Sequence, residues 1–157
     1  MSTAIPPRPR LVPGKRTFVV VASQFNPTYV QGLVDHAAAE LRRLVSGATV
    51  LFHLVPGAFE IPIVVQAVAA QKNADAIIAI GVILKGETDH AEHLGRSVTD
   101  ALQRIALEHG IPVLNCVLSM ENEMQARERC LGEQINRGTE VARAAVGVAS
   151  VLNDLRG

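Results

Sequence analysis

The sequence predicts a three-layer α/β/α sandwich around a four-stranded parallel sheet, and two patterns indicate this fold class. Short apolar runs alternate four times with longer segments whose apolar residues recur at helical spacing, as in successive strand–helix–strand units. Residues 77–84 are apolar on both faces, which is typical of an inner parallel strand covered by helices on both sides. The crossovers should be right-handed. A chain of 157 residues fits one such domain.

The four strands are predicted from apolar runs between turn signals. They cover residues 17–22, 49–55, 76–84 and 111–118. Residues 1–16 contain four prolines, and proline lacks the N–H that a central strand must donate. We therefore expect residues 1–16 to form an N-terminal arm, either a tail or an extended segment at a sheet edge. Residues 17–157 should form the single domain.

The helices are predicted from start and stop signals as well as from spacing. They cover about residues 27–44, 61–72, 89–108 and 120–130, and a last helix follows Asn136. Asn26, which precedes Pro27, and Asn136 are expected N-caps. Gly47 should end the first helix. The last helix should bury Val141, Ala144, Ala145, Val148 and Leu152.

The composition argues against several classes of function. Fifteen basic and fifteen acidic residues balance, so nothing indicates binding to nucleic acid or to an anionic membrane. No apolar segment reaches the roughly 18–20 residues that a membrane span needs. The N-terminus has no apolar signal core, so a cytoplasmic location is expected. Cys116 and Cys130 lack metal-ligand spacing and should be reduced packing residues.

Candidate functional residues follow the ends of three strands, which a parallel sheet delivers to one edge. These segments are residues 23–26 (SQFN), 55–60 (VPGAFE) and 85–90 (KGETDH). Phe25 and Phe59 are two of only four phenylalanines. An aromatic ring in such a place either stacks on a flat heterocycle or closes the core. Glu60 either binds hydroxyl groups or only favours a helix N-terminus.

His90 lies at the start of the third predicted helix, where an imidazole can transfer protons near neutral pH. His93 is three residues further on and could share its helix face. Such a pair could also chelate a metal, but no further ligand cluster is visible in the sequence. Proton transfer is therefore the preferred function and no metal is expected. The alternative is an exposed helix surface without a function.

The start of the same helix is also a candidate anion site, because its unpaired N–H groups and partial positive charge suit phosphate. Three nearby acidic residues would repel a phosphate: Glu87, Asp89 and Glu92. A cation is therefore needed, and Lys85 is one candidate. Arg127 and Arg129 on the short fourth helix are others, since arginine grips phosphate through its planar fork. Spacing alone does not choose between these two arginines.

Four motifs together resemble the lumazine synthase family. They are SQFN at 23–26, VPGAFEIP at 55–62, GVILKGETDH at 81–90 and INRG at 135–138. The resemblance covers about residues 17–155 and implies a flavodoxin-like fold without a metal or organic cofactor. It also implies the penultimate reaction of riboflavin biosynthesis. In that reaction 5-amino-6-(D-ribitylamino)uracil and 3,4-dihydroxy-2-butanone 4-phosphate give 6,7-dimethyl-8-ribityllumazine, phosphate and water.

The resemblance implies a role for each matching residue. Phe25 would stack on the uracil ring, and His90 would transfer protons. The ribityl chain would lie along Ala58, Phe59 and Glu60, with Glu60 taking its hydroxyls. The uracil edge would meet the backbone of Val82, Ile83 and Leu84. The phosphate would be held by Gly86, Glu87, Thr88 and Arg129, the last of which matches the family's phosphate-binding arginine.

Some residues depart from the family pattern. Asn115 stands where many members have a phenylalanine that packs near the uracil from a neighbouring subunit, and Arg137 stands where many have lysine. Both remain expected substrate-binding residues. Ala91 and His93 replace aromatic residues. Residues 130–134 (CLGEQ) do not match the turn of members that build icosahedral shells, and this mismatch, with the Pro-rich arm, favours a homopentamer over a sixty-subunit capsid. The resemblance also implies active sites between adjacent subunits.

Other functions on the same scaffold are weighed against this one. A flavin- or lumazine-binding carrier would need neither proton transfer nor phosphate release, so His90 and Arg129 disfavour it. The related archaeal-type riboflavin synthase joins two lumazines, and the PGAFEIP motif and the phosphate-site residues disfavour that reaction. A signalling or scaffold domain is a more distant alternative.

Overall fold

The computed structural model describes residues 7–157 and confirms the predicted fold class. In chain order its elements are β1 (Val12–Ser23), α1 (Pro27–Leu44), β2 (Val45–Val55), a 3₁₀ turn (Ala58–Glu60), α2 (Ile61–Gln71), β3 (Ala76–Leu84), α3 (His90–His109), β4 (Val113–Met120), α4 (Glu123–Leu131) and α5 (Arg137–Arg156). The four strands pair in parallel in the order β2-β1-β3-β4. The strands therefore deliver their carboxyl ends to one edge, as the sequence predicted.

Two apolar cores lie on opposite faces of the sheet, because successive strand residues point to opposite sides. One core joins the sheet to α1, α4 and α5, and the other joins it to α2 and α3. Strand β3 is buried along residues 76–83, which fits its apolar run. None of the helices within residues 7–157 is long and apolar enough to cross a membrane.

Strand β1 begins at Val12, five residues earlier than the sequence predicted. Val12 pairs with Val45 of β2, whereas pairing with β3 begins only at Phe18. Residues 12–16 therefore extend the sheet on one side only, and a register shift between Val12 and Lys15 accommodates Pro13. The part of the predicted arm before residue 7 lies outside the described residues.

The prediction that Gly47 ends α1 was wrong. Helix α1 ends at Leu44, and β2 begins at the next residue. Gly47 lies inside β2, paired with Lys15, and a Cβ there would collide with the carbonyl oxygen of Gly14. The close approach of two backbones, rather than a helix end, explains this glycine.

Two predictions about the C-terminal third were also wrong. Met120 is the buried last residue of β4, and α4 begins only after the N-cap Asn122, whose side chain accepts a hydrogen bond from Gln125 N. In α5 the apolar residues Ala144 and Val148 are exposed. The helix packs against both α1 and the sheet, so its buried stripe is wider and rotated from the predicted one: Val141, Ala142, Ala145, Val146 and Ala149.

Cys116 and Cys130 are free, buried thiols, as expected for packing residues. Burial raises the pKa of both thiols, that of Cys130 to about 12. Neither thiol is therefore ionised, or a nucleophile, near neutral pH.

Candidate active site

A cavity of about 580 Å³ opens at the carboxyl edge of the sheet, between the 3₁₀ turn, the end of β3 and the start of α3. Eight of the predicted site residues line it: Phe25, Ala58, Phe59, Glu60, Val82, Ile83, Leu84 and His90. The sequence did not single out Gly57, Leu94 and Ser97, which also line it. A larger groove of about 680 Å³ between α1 and β2 contains none of the predicted site residues.

Phe25 and Gly57 follow neighbouring strands, since Ser23 at the end of β1 pairs with Val55 at the end of β2. A Cβ on Gly57 would lie 3.1 Å from Phe25 Cε2, so the ring packs against this glycine. Phe25 is nevertheless 68% exposed. The ring is thus supported from one side and offers its other surface to the cavity.

Glu60 holds the turn that carries Gly57. Its Oε1 accepts a hydrogen bond of 2.9 Å from the backbone N–H of Gly57. The carboxylate therefore orders the segment after β2, and it also lines the cavity. Its predicted contact with hydroxyl groups stays a prediction.

The backbone at the end of β3 faces the cavity because β1 stops pairing before β3 ends. The last pair between the two strands is Ala22 with Ile80. Ile77 N and Lys85 N donate to the β4 side, and peptide groups alternate sides along a strand. The peptide groups of Val82 and Leu84 therefore point to the β1 side, and Leu84 extends past the last residue that β1 pairs with.

Asn26 is the N-cap residue of α1, as the sequence predicted, but its side chain has a different role. This side chain makes no capping hydrogen bond, and the backbone of Asn26 is left-handed, with φ 55° and ψ 56°. Its Nδ2 instead donates a hydrogen bond of 2.7 Å to the carbonyl oxygen of Val82. The amide thus occupies a position on β3 that β1 has left open.

His90 and His93 both line the cavity from the first turns of α3. The loop before them, with Gly86, Glu87 and Thr88, is exposed next to the cavity. Thr88 Oγ1 accepts a long hydrogen bond of 3.4 Å from His90 N. The other N–H groups of a first helical turn have no partner within the helix. This loop and helix start can therefore present several N–H donors to an anion.

The charges around this helix start are partly balanced by neighbours. Glu92 pairs with Arg96 at 3.2 Å, and Lys85 pairs with Glu121 at 3.4 Å. Both pairs are exposed, so each contributes little to stability. Pairing of Glu92 lessens one of the repulsions that the sequence predicted for a phosphate. No group of three or more His, Cys, Asp or Glu side chains within residues 7–157 is placed to hold a metal ion.

Besides Gly86, Glu87 and Thr88 in the adjoining loop, four other candidate residues do not line this cavity. Arg129 is partly exposed on α4. The other arginine of that helix, Arg127, lies close to Tyr29, whose pKa is raised by burial and by Glu123 and lowered by Arg127. Asn115 on β4 donates to Thr99 at 3.1 Å. Arg137 is buried and pairs with Glu140 at 2.6 Å.

Comparison with known proteins identifies relatives over most of the chain. The sequence model of the family described as 6,7-dimethyl-8-ribityllumazine synthase matches residues 15–153. Proteins of that name are similar to this chain in several bacteria. The one from Leptothrix cholodnii is 39% identical over 87% of this chain and 86% of its own length. That from Paraburkholderia phymatum is 42% identical over 84% and 75%, and that from Burkholderia multivorans is 40% identical over the same shares.

Proposed function

The chain belongs to the 6,7-dimethyl-8-ribityllumazine synthase family, and from this premise we propose that its cavity is one half of an active site that a neighbouring subunit completes. The enzyme condenses 5-amino-6-(D-ribitylamino)uracil with 3,4-dihydroxy-2-butanone 4-phosphate to give 6,7-dimethyl-8-ribityllumazine, phosphate and water. The observation that carries the shared-site proposal is the grouping of residues. Phe25 and His90 line one cavity, whereas Arg129 does not.

The uracil ring binds between the Phe25 ring and the end of β3. Phe25 supplies an exposed aromatic surface for stacking. At the end of β3, the peptide groups of Val82 and Leu84 supply the edge contacts, and Ile83 lines the same cavity. Because the peptide groups of Leu84 point away from β4, they are available to a flat molecule with donors and acceptors on its rim. The ribityl chain runs along Ala58, Phe59 and Glu60.

The phosphate of the second substrate binds at the start of α3. Gly86, Glu87 and Thr88 precede that helix, whose N-terminus favours an anion through its N–H groups and its dipole. Arg129 of the neighbouring subunit supplies the positive charge. Arg127 is a weaker candidate because it interacts with Tyr29 of its own chain. Asn115 also reaches the uracil from the neighbouring subunit, whereas Arg137 is buried and paired with Glu140 of its own chain.

The chemistry then follows from the order of bond changes. The uracil's primary amine attacks the ketone and, with loss of water, gives an imine. Phosphate leaves by elimination, and contacts that stabilise its negative charge make this step easier. The resulting enol tautomerises, and the second nitrogen closes the new ring with loss of the remaining water. His90 transfers protons in these steps, while the site holds both substrates in contact.

The surface supports an oligomer. Strand β2 is an edge strand with exposed apolar side chains: Leu51, Phe52 and Leu54. An apolar edge strand that no other strand of residues 7–157 covers favours association with another chain. A homopentamer fits the proposal, since residues 130–134 lack the turn expected of icosahedral members. The cytoplasmic location expected from the sequence is part of the same proposal, and cell fractionation checks it.

The first test is direct. The protein is mixed with both substrates, and lumazine absorbance and phosphate release are followed together. Equal amounts of the two products are expected. A folded protein that releases no lumazine would overturn the proposed function.

The shared site is tested by mixing subunits. Phe25→Ala removes the cavity side of the site, and Arg129→Ala removes the donated side. In oligomers refolded from an equal mixture, roughly a quarter of the interfaces of a ring would unite two intact halves. Activity well above the sum of the separate variants is expected. A mixture of Phe25→Ala and His90→Ala is the matched control, because both substitutions damage the same half and no complementation can occur. Equal behaviour of the two mixtures would place the whole site in one chain.

A further inference from the structure

Asn26 combines a left-handed backbone with a side chain that does not cap the helix it precedes. Its φ of 55° lies in the left-handed region, which only glycine, asparagine and aspartate adopt at low cost. Its side chain is not used to cap α1. Residues held in such sparsely populated conformations occur preferentially where a binding site needs a particular geometry.

The side chain and the backbone of Asn26 join different elements. Its carbonyl oxygen accepts hydrogen bonds of 3.1 Å from both Tyr29 N and Val30 N, which starts α1. Its Nδ2 donates to Val82 O at 2.7 Å. One residue therefore fastens the start of α1 to the end of β3, just beyond the last pair of the β1–β3 ladder. The left-handed backbone is the conformation in which it makes both connections.

We propose that Asn26 is a positioning residue that sets the distance between the ring surface of Phe25 and the peptide groups at the end of β3. This inference rests on the proposed function, in which those two surfaces meet the face and the edge of the same uracil ring. Phe25 is the residue immediately before Asn26, and Leu84 is two residues after Val82. Fixing Asn26 to Val82 therefore fixes both sides of the slot.

The hydrogen bond from Asn26 Nδ2 to Val82 O also changes which hydrogen-bond acceptors the backbone presents to the uracil ring. With Nδ2 bound to it, the Val82 carbonyl is a satisfied acceptor. Without the amide, that carbonyl would be an additional acceptor at the slot, and a ring presenting its own acceptor there would be repelled. Asn26 thus contributes to specificity for the ring substrate without touching the second substrate.

Two variants separate the amide from the backbone conformation. Asn26→Gly tolerates the positive φ but lacks the side chain, and Asn26→Asp keeps the shape but replaces the donor by an acceptor facing Val82 O. For both we expect the KM for the ribitylaminouracil to rise about five- to tenfold, as for loss of one well-formed hydrogen bond, with the larger rise for Asn26→Asp. The KM for the butanone phosphate should stay within twofold. Thr28→Ala, exposed on the first turn of α1, is the matched control and should change neither KM.

The outcomes are distinct. Binding of the ribitylaminouracil alone, measured by titration calorimetry, should weaken by the same factor as the KM rises. An unchanged KM for the ring substrate in Asn26→Gly, in an enzyme whose wild type makes lumazine, would overturn the role of Asn26 only. Equal rises in both KM values together with a fall in kcat would overturn it as well, because such a result indicates a general structural loss. Wild-type protein that makes no lumazine would overturn the proposed function itself.

Discussion

The ring of Phe25 rests on Gly57, so closely that a Cβ at residue 57 would lie 3.1 Å from Phe25 Cε2 and 3.1 Å from Glu60 Oε1. The contact arises because β1 and β2 end side by side, with Ser23 paired to Val55. Gly57 has an extended backbone, with φ −137° and ψ 175°, which any residue can adopt. A glycine is therefore needed at position 57 because the Phe25 ring and the Glu60 carboxylate occupy the space of a Cβ, and not because of the backbone dihedral angles.

Gly57→Ala should displace the Phe25 ring and so weaken binding of the ring substrate. Adding one methyl group at a tight contact costs about 1 kcal/mol or more, but the exposed ring can move, so we expect only a small loss of stability. The KM for the ribitylaminouracil should rise several-fold, and steady-state kinetics measures it. Gly147→Ala on α5 is the control, since nothing lies within 4 Å of its added Cβ. An unaltered KM in Gly57→Ala would show that the ring position does not matter for binding.

His90→Ala should slow turnover without abolishing it. Loss of a proton-transfer group lowers the rate about 100-fold or more, while positioning of the two substrates still accelerates their reaction. The measurement is kcat at saturating substrates, with circular dichroism to establish folding. His36→Ala is the matched control, because His36 bonds Gly32 O within α1 and does not line the cavity. Complete inactivity of folded His90→Ala would contradict this division of roles.

The sequence predicted those parts of the fold in which one pattern determines the structure. Strand β3 was predicted with its correct ends because its apolar run lies between clear turn signals. Gly47 was misread because a glycine required by a neighbouring backbone is indistinguishable in sequence from a helix stop. Asn26 was correctly predicted as the N-cap residue of α1, but its left-handed backbone and the role of its side chain were not predicted, because asparagine suits both an N-cap and a left-handed residue. The distinction depends on Val82, 56 residues away.

The candidate site was predictable on one side only. Residues at strand ends must meet at the sheet edge, so Phe25, Glu60 and His90 could be grouped from the sequence alone. Gly57 lies within the predicted segment 55–60 but was given no role, and Ser97 on α3 carries no signal of its own. Arg129 could be assigned only by resemblance, since it does not line the cavity of its own chain.

Asn136→Ala should destabilise the protein more than an ordinary cap substitution. Asn136 is buried, and its Oδ1 accepts from Gly138 N and Thr139 N. Its Nδ2 donates to the carbonyls of Cys130 and Gly132, so the side chain joins the end of α4 to the start of α5. We expect a loss of about 2–3 kcal/mol in the free energy of unfolding, because buried partners lose their hydrogen bonds.

Urea unfolding measures this loss, and Asn122→Ala provides the comparison. Asn122 is the exposed N-cap of α4 and accepts one hydrogen bond, from Gln125 N. Its removal should lower the free energy of unfolding by about 1 kcal/mol. Equal losses in the two variants would mean that the bonds of Asn136 to α4 add nothing.

Glu40 is a buried carboxylate that the sequence presents only as one more acidic residue on a helix. It is 3% exposed, and its Oε2 lies 2.6 Å from Arg143 Nε of α5. Its Oε1 lies 3.2 Å from an Arg8 nitrogen. Burial alone raises the pKa of this carboxyl, but hydrogen bonds from Arg143 and Arg8 outweigh burial and hold the pKa below its ordinary value of 4.5. The charged form is therefore the one that stabilises the fold.

Glu40→Gln should lower the free energy of unfolding by about 3 kcal/mol at pH 7, because the variant removes the buried charge that pairs with the partly buried Arg143. The folded pKa is depressed, so the contribution of the wild-type carboxylate is complete above pH 4.5. It is lost as the pH falls below 4.5 and through the lower folded pKa. Urea unfolding at a series of pH values should therefore show the wild type approaching Glu40→Gln in acid.

Glu92→Gln is the control, since the Glu92–Arg96 pair is exposed and its loss should change the free energy of unfolding by less than about 1 kcal/mol. A gap between wild type and Glu40→Gln that stayed constant from pH 7 into the acid range would mean that the size of the side chain, and not its charge, stabilises the contact between α1 and α5.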